Sequence, residues 1–135
     1  MLKGIDTVLT GEILLHLDRM GHSDLVAIVD AHFPAYRVGK RVVDVAVGSP
    51  RATRAICSVL EFDDVEPFVL MDSGKEWNGV QQELVAASGL LEADVGAIDR
   101  YAFYQLAERA NLIVRTTETR VYGNALLRKG VTPDG

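Results

Sequence analysis

The sequence predicts an α/β fold: a central, largely parallel or mixed sheet covered by helices in three layers. Three observations carry that expectation. Short, continuous apolar runs rich in β-branched residues recur, Leu25–Val29 the clearest of them, and such runs suit strands buried on both faces. Between them lie stretches whose apolar residues repeat at helical spacing and which carry helix start and stop residues. The two kinds of segment alternate over most of the chain, as a sheet with helices packed on it requires.

Taken in order, Thr10 is a good N-cap for a helix whose apolar face is Ile13, Leu14 and Leu17, and Gly21 is placed to end it in a left-handed turn. Leu25–Val29 is the first strand, with Asp30 at its end. Phe33-Pro34-Ala35-Tyr36 reads as a break. Val42–Val47 is a second strand, and Ser49-Pro50 a cap and N1 proline opening a helix to about Leu60. Phe68–Met71 is a strand, the stretch from Gly74 to Gly79 a loop carrying Trp77, and Val80–Ser88 a helix stopped by Gly89. Ala97-Ile98 is a short strand, Asp99 caps a helix to about Ala110, and Leu112–Thr117 is a strand. The triplet Tyr122-Gly123-Asn124 is turn-like and leads into a last short strand at Ala125–Leu127.

Composition bounds the function. The 135 residues are 48% hydrophobic and 24% charged, enough for one domain, 1–135, with a real core. A net charge of -5 with scattered Lys and Arg argues against nucleic acid as a partner, because phosphate binding needs a basic face. The start at Met1 lacks the apolar stretch of a signal peptide, and no apolar run approaches the ~20 residues of a membrane helix. Cys57, the single cysteine, sits among apolar neighbours and reads as a buried thiol. These features predict a cytoplasmic protein.

The polar groups that stand out are His22 and Asp30, placed to bring a base and its orienting acid to the mouth of one pocket. An imidazole titrates near neutrality and can give and take a proton. Against this, His22 reads equally as an exposed loop residue and Asp30 as a cap. His22, Asp24, Asp30 and His32 also make weak H-x-D and D-x-H pairs for a metal. Arg100 precedes Tyr101-Ala102-Phe103-Tyr104 and reads as a surface charge or a stem lying on a ring. Tyr122 and Asn124 offer a ring and an amide to a carbohydrate, or simply form a turn. Glu118 reads as a solvated charge. No GxGxxG, Walker A or GxSxG motif is present, which leaves nucleotide cofactors and serine hydrolysis unsupported.

Five segments, in order, resemble the ribose pyranase and fucose mutarotase family of sugar anomer-interconverting proteins. They are Met1-Leu2-Lys3-Gly4-Ile5, Met20-Gly21-His22-x-Asp24, Asp30-Ala31-His32-Phe33-Pro34-Ala35, Arg100-Tyr101-Ala102-Phe103-Tyr104, and Tyr122-Gly123-Asn124 running on to Val131. The resemblance implies that His22 is the catalytic proton donor. It implies that Asp30, Arg100, Tyr122 and Asn124 contact a monosaccharide, with Gly123 shaping the turn. It further implies an α/β protein without cofactor or metal, assembled as a homo-oligomer from dimer to decamer, with sites near subunit contacts. The arginine–aromatic and Tyr-Gly-Asn segments look more like the L-fucose branch than the ribose branch. Departures are Gln105-Leu106 where Glu-Arg is common, Thr117 in place of a glycine, and a poorly matching, shortened stretch from Val38 to Asp94. The implied reaction is acid–base ring opening and closure. The alternatives are a sugar-binding accessory without turnover, and a metal-dependent isomerase built on His22 and His32.

Overall fold

A computed structural model of the chain describes residues 1–134. Five helices and six strands follow in the order α1 Gly11–Asp18, β1 Leu25–Val29, α2 Ala35–Val38, β2 Val42–Asp44, α3 Ser49–Cys57, β3 Phe68–Met71, α4 Gly79–Ser88, β4 Val95–Ile98, α5 Arg100–Arg109, β5 Leu112–Arg115 and β6 Ala125–Arg128. A 3-10 turn, Glu92–Asp94, precedes β4.

The sheet is mixed, in the order β2-β5-β1-β6-β3-β4. β1, β2, β3, β4 and β5 run the same way, and β6 lies antiparallel between β1 and β3. The ends of the five parallel strands therefore share one edge with the start of β6. The expected apolar run is the best-covered strand: all five residues of β1 are buried. Alternate residues go to opposite faces. Val26 and Ile28 pack under α1, α3 and α4 with Ile13, Leu17, Ile56 and Leu84. Leu25, Ala27 and Val29 pack under α2 and α5 with Ala35, Phe103 and Ala107. The three layers are as expected.

Local chemistry explains the elements, and some expectations give way. Thr10 caps α1 through Ile13 N–H, but the helix ends at Asp18 with Arg19 in right-handed geometry. Gly21 is not left-handed; the left-handed residue of that connection is Ser23, φ 72°. The break at Pro34 is a short helix, α2, entered through that proline. β2 stops at Asp44, where its partner β5 ends at Arg115. Gly48, not Ser49, is the N-cap of α3. The Glu118 carboxylate faces the Ser49 N–H instead, so α3 is capped from a distant segment. Asn78 and Gln81 form a capping box at the start of α4, and Gly89, φ 73°, ends it in the expected left-handed cap. Asp99 caps α5 by accepting from Tyr101 N and Ala102 N. Burial pushes the Cys57 thiol up to about 12, leaving it protonated and inert. No helix is long and apolar enough to cross a membrane among the described residues.

Candidate active site at the C-terminal edge of the sheet

Open α/β sheets bind ligands beyond the carboxyl ends of their parallel strands, and this edge gathers most of the residues singled out above. A cavity of about 240 Å³ opens there, lined by Asp30, His32, Phe33, Met71, Arg100, Tyr104, Val121, Tyr122 and Asn124. It is smaller than the ~300–1,000 Å³ of drug-sized sites, which suits a ligand the size of a monosaccharide. A hollow of about 760 Å³ over Trp77 and α4 is larger, but no buried polar side chain points into it.

Asp30 is the node of the site and is only 3% exposed. Its Oδ1 accepts from His32 N and Phe33 N, each at 3.0 Å. Its Oδ2 accepts from Gly123 N at 3.2 Å and Asn124 Nδ2 at 3.1 Å. Asp30 N in turn donates to Asn124 Oδ1 at 2.7 Å. The carboxylate thus fills its roughly four acceptor positions with the chain's own donors. Burial pushes the Asp30 carboxyl above its ordinary value, and the N–H groups of His32, Gly123 and Phe33 oppose that rise. Asp30 thereby ties the end of β1 to the Tyr122–Asn124 loop, 94 residues away.

That loop is held in an unusual conformation. Tyr122, rather than Gly123, is the left-handed residue, φ 62°, at a cost of about 1–2 kcal/mol for a residue with a side chain. Gly123 is needed for space: a Cβ there would lie 2.9 Å from Glu118 Cγ and 3.0 Å from Ser49 Oγ. Glu118 is not a solvated charge. It is 6% exposed and accepts from Arg120 Nε at 2.9 Å and Nη2 at 3.1 Å. Arg120 holds the Glu118 carboxyl below the usual carboxylate range against the opposing effect of burial. Arg120 also pairs with Glu83 on α4, so the loop is clamped to two helices.

Arg100 begins α5 at the mouth of the cavity. Its guanidinium lies 5.1 Å from the Tyr101 ring centroid, with Nη2 3.2 Å from the Tyr101 hydroxyl. It makes no ion pair among the described residues, so its remaining donors face solvent and the cavity. Tyr104 closes the wall, edge-on to Phe33 at 5.2 Å. His32, set aside above as half of a weak metal pair, also lines the cavity, with Nε2 3.0 Å from Thr119 O. Phe33, Met71 and Tyr104 were not singled out from the sequence. Helical spacing on α5 could have pointed to Tyr104, while Met71 ends the fully buried strand β3 and nothing in the sequence sets it apart from the core.

The histidine expected beside Asp30 is elsewhere. His22 precedes β1 and Asp30 follows it, so the two stand at opposite edges of the sheet, separated by about 20 Å of extended strand. The pairing of base and acid at one pocket mouth does not hold within the chain, and neither does the His22–His32 metal pair. The carboxylate that meets His22 is Asp63, with His22 Nε2 3.5 Å from Asp63 Oδ2.

The chain matches the model of the RbsD / FucU transport protein family over residues 3–132. Among solved structures it is similar to protein Atu2016, provisionally assigned as sugar-binding, at 37% identity and TM-score 0.90, covering 98% of this chain and 97% of that one. It is similar to the fucose mutarotase of Streptococcus pneumoniae, solved with L-fucose, at 26% identity and TM-score 0.89, covering 98% and 100%. It is also similar to FucU of Bifidobacterium longum at 29% identity and TM-score 0.87, covering 96% and 100%. The family match runs through the stretch from Val38 to Asp94 as well as the five segments quoted from the sequence, and the helix-covered mixed sheet is the fold shared with these structures: the chain belongs to the RbsD / FucU transport protein family.

Proposed function

We propose that the protein is a monosaccharide mutarotase, interconverting the anomers of L-fucose or a related sugar by cofactor-free ring opening and closure. The observation that carries this reading is the small cavity at the strand ends, walled by Tyr122, Tyr104 and Phe33 and edged by the unpaired Arg100. It occurs in a fold shared almost end to end with a fucose mutarotase bound to its sugar. Rings suit the apolar face of a sugar, and a guanidinium with free donors suits its hydroxyls.

Ring opening delivers a proton to the ring oxygen and removes one from the anomeric hydroxyl, and closure reverses both transfers. His22 is the proposed proton donor. Arg100 and Tyr122 meet the sugar directly, and Arg100 stabilises charge developing on the anomeric oxygen. Asp30, whose acceptors are already filled, serves chiefly to hold Gly123 and Asn124 in the sugar-facing wall. Because His22 lies at the far edge of its own sheet, it reaches the sugar from a second copy of the chain packed head to tail. The working unit in this reading is a homo-oligomer with its sites at subunit contacts. One titrating group supplies ~10²–10⁴-fold, which suffices for a reaction that already proceeds in water.

A second reading, a sugar-binding accessory without turnover, is favoured by one observation: among the described residues of a single chain the only imidazole at the cavity is His32, already bonded to Thr119 O. Saturation-transfer NMR on equilibrated L-fucose, D-ribose and D-galactose separates the two. Protein-dependent transfer between anomeric protons, lost in His22→Ala, supports the mutarotase. Line broadening without transfer for any sugar overturns it in favour of the binder.

A further inference from the structure

We infer that Asp63 is the positioning residue for His22, fixing which ring nitrogen exchanges the proton. The inference rests on the reading of His22 as the proton-transfer group. It goes beyond that reading by assigning a role to a segment, Glu61 to Asp64, that no motif singled out.

The two side chains come from different parts of the chain and are held on one support. His22 sits in a tight turn closed by Asp24 N donating to Gly21 O at 3.1 Å. Asp24 Oδ2 locks the turn by accepting from Gly21 N at 2.7 Å and Asn111 Nδ2 at 3.2 Å. Ser23 N donates to Lys129 O at 2.8 Å. Asp63 N donates to Arg128 O at 3.0 Å, and Phe62 bridges to Lys129. Packing there is so close that a Cβ on Gly130 would lie 2.2 Å from Phe62 O. Both groups therefore hang on the end of β6, and their relative position is set by backbone bonds rather than by flexible side chains.

The side chains meet at the outer limit of hydrogen-bond reach. His22 Nε2 lies 3.5 Å from Asp63 Oδ2, with the imidazole 60% and the carboxylate 10% exposed. The Ser23 hydroxyl donates to the same oxygen at 3.2 Å, while Oδ1 accepts from Val65 N at 3.4 Å. Ser23 is the left-handed residue, φ 72°, so local strain is maintained where its hydroxyl and the neighbouring imidazole converge on one carboxylate. Strain kept in place by surrounding bonds is a mark of functional positions. A contact of 3.5 Å is looser than a strong hydrogen bond, as such contacts commonly are before ligand binds.

The consequence is a choice of tautomer. A carboxylate only accepts, so Nε2 carries the hydrogen facing Asp63 and Nδ1 is left outward with its lone pair. When Nδ1 takes up a proton, the imidazolium keeps its Nε2–H directed at Asp63. A carboxylate behind a catalytic histidine does the same in other acid–base sites. Nδ1 is then the atom that exchanges protons with the sugar, in either direction.

The test reads the ring directly. In the intact assembly, ¹⁵N NMR of the His22 ring should show the Nε2–H tautomer, which Asp63→Asn converts to a mixture. The same variant should lose 10–100-fold in kcat with KM within twofold, at unchanged circular dichroism and assembly mass. Asp63→Glu should restore part of the rate and the Nε2–H signature. An Nδ1–H tautomer in the unmodified protein overturns the inference without any variant. So does Asp63→Asn with kcat within twofold, or with a lost rate and an unchanged ring signature. Full activity in His22→Ala removes the underlying reading; an inactive His22→Ala beside a fully active Asp63→Asn removes the inference alone.

Discussion

The two edges of the sheet are built on opposite plans. At the C-terminal edge, the cavity is a product of long-range bonds: Asp30 reaches 94 residues to Asn124, and Arg120 reaches Glu83 on α4. The polar atoms of Asp30 and Asn124 there are buried and bonded to each other and to the backbone, which makes that part of the wall rigid. At the N-terminal edge, His22 stands on a four-residue turn, 60% exposed, with its ring nitrogens free for chemistry apart from the Asp63 contact. In the proposed mutarotase, one edge supplies shape and the other an exchangeable proton. That division is the physical ground for proposing that a second copy of the chain joins them.

The comparison can be broken at several points. The largest effect is expected from His22→Ala. Activity should fall ~10²–10⁴-fold, while stability changes within about 0.5 kcal/mol, as for exposed surface positions. Exchange rates and a denaturant melt on the same sample read the two separately, and a large stability loss with retained activity would invert the roles of the edges. Gly123→Ala should do the reverse first. It forces a Cβ against Glu118 and Ser49 and should cost about 1–3 kcal/mol, with sugar affinity falling because the Tyr122 wall moves.

Asp30→Asn puts an amide against the donors of Gly123 and Asn124, a loss of about 1–3 kcal/mol, measurable in urea melts. The sign of its pH dependence follows from the raised carboxyl. Stability from a carboxyl whose folded value is raised is present below the unfolded carboxylate range and is lost as pH rises through the folded value. The parent protein should therefore lose stability across that window, and the Asn variant should lack this component. A variant whose melts match the parent at every pH would remove Asp30 from the centre of the site.

The smallest effect is expected at Asp6, outside the cavity lining, where the Arg51 guanidinium binds both carboxylate oxygens at 2.7 Å and holds the carboxyl down to about 2. A depressed carboxyl stabilises above its unfolded value of 3.8 and loses that contribution as pH falls toward 2. Arg51→Met should cost about 0.2–1 kcal/mol at neutral pH and nothing near pH 2, checked by thermal melts across that range. A constant difference would assign the loss to packing of the arginine stem.

Much of the fold was legible because its signals are local. The β1 run, Thr10, Asp99 and Gly89 each act on their own neighbours, and the alternation of segments implied the three layers. What escaped was non-local. Ser49 has the chemistry of a cap, but Glu118, 69 positions on, takes that place. A glycine at 21 suggests a left-handed stop, yet the tie of Ser23 N to Lys129 O puts the left-handed turn on Ser23. The last strand could be read as a strand but not as the antiparallel centre of the sheet, because position in a sheet depends on partners. The site divides the same way. Asp30, Arg100, Tyr122, Gly123 and Asn124 were named from the sequence and converge on one cavity. His22 was expected beside Asp30 but stands beside Asp63, since eight residues of separation along an extended strand mean distance rather than contact.

The most direct test of two half-sites joined between copies is subunit complementation. His22→Ala and Arg100→Ala should each be inactive in saturation transfer with the preferred sugar. Unfolded together at equal amounts and reassembled, they should regain about a quarter of the parent rate, the share of head-to-tail contacts pairing an intact His22 with an intact cavity. A reassembled mixture that remains as inactive as the separate variants would contradict the joined site and return both groups to a single chain.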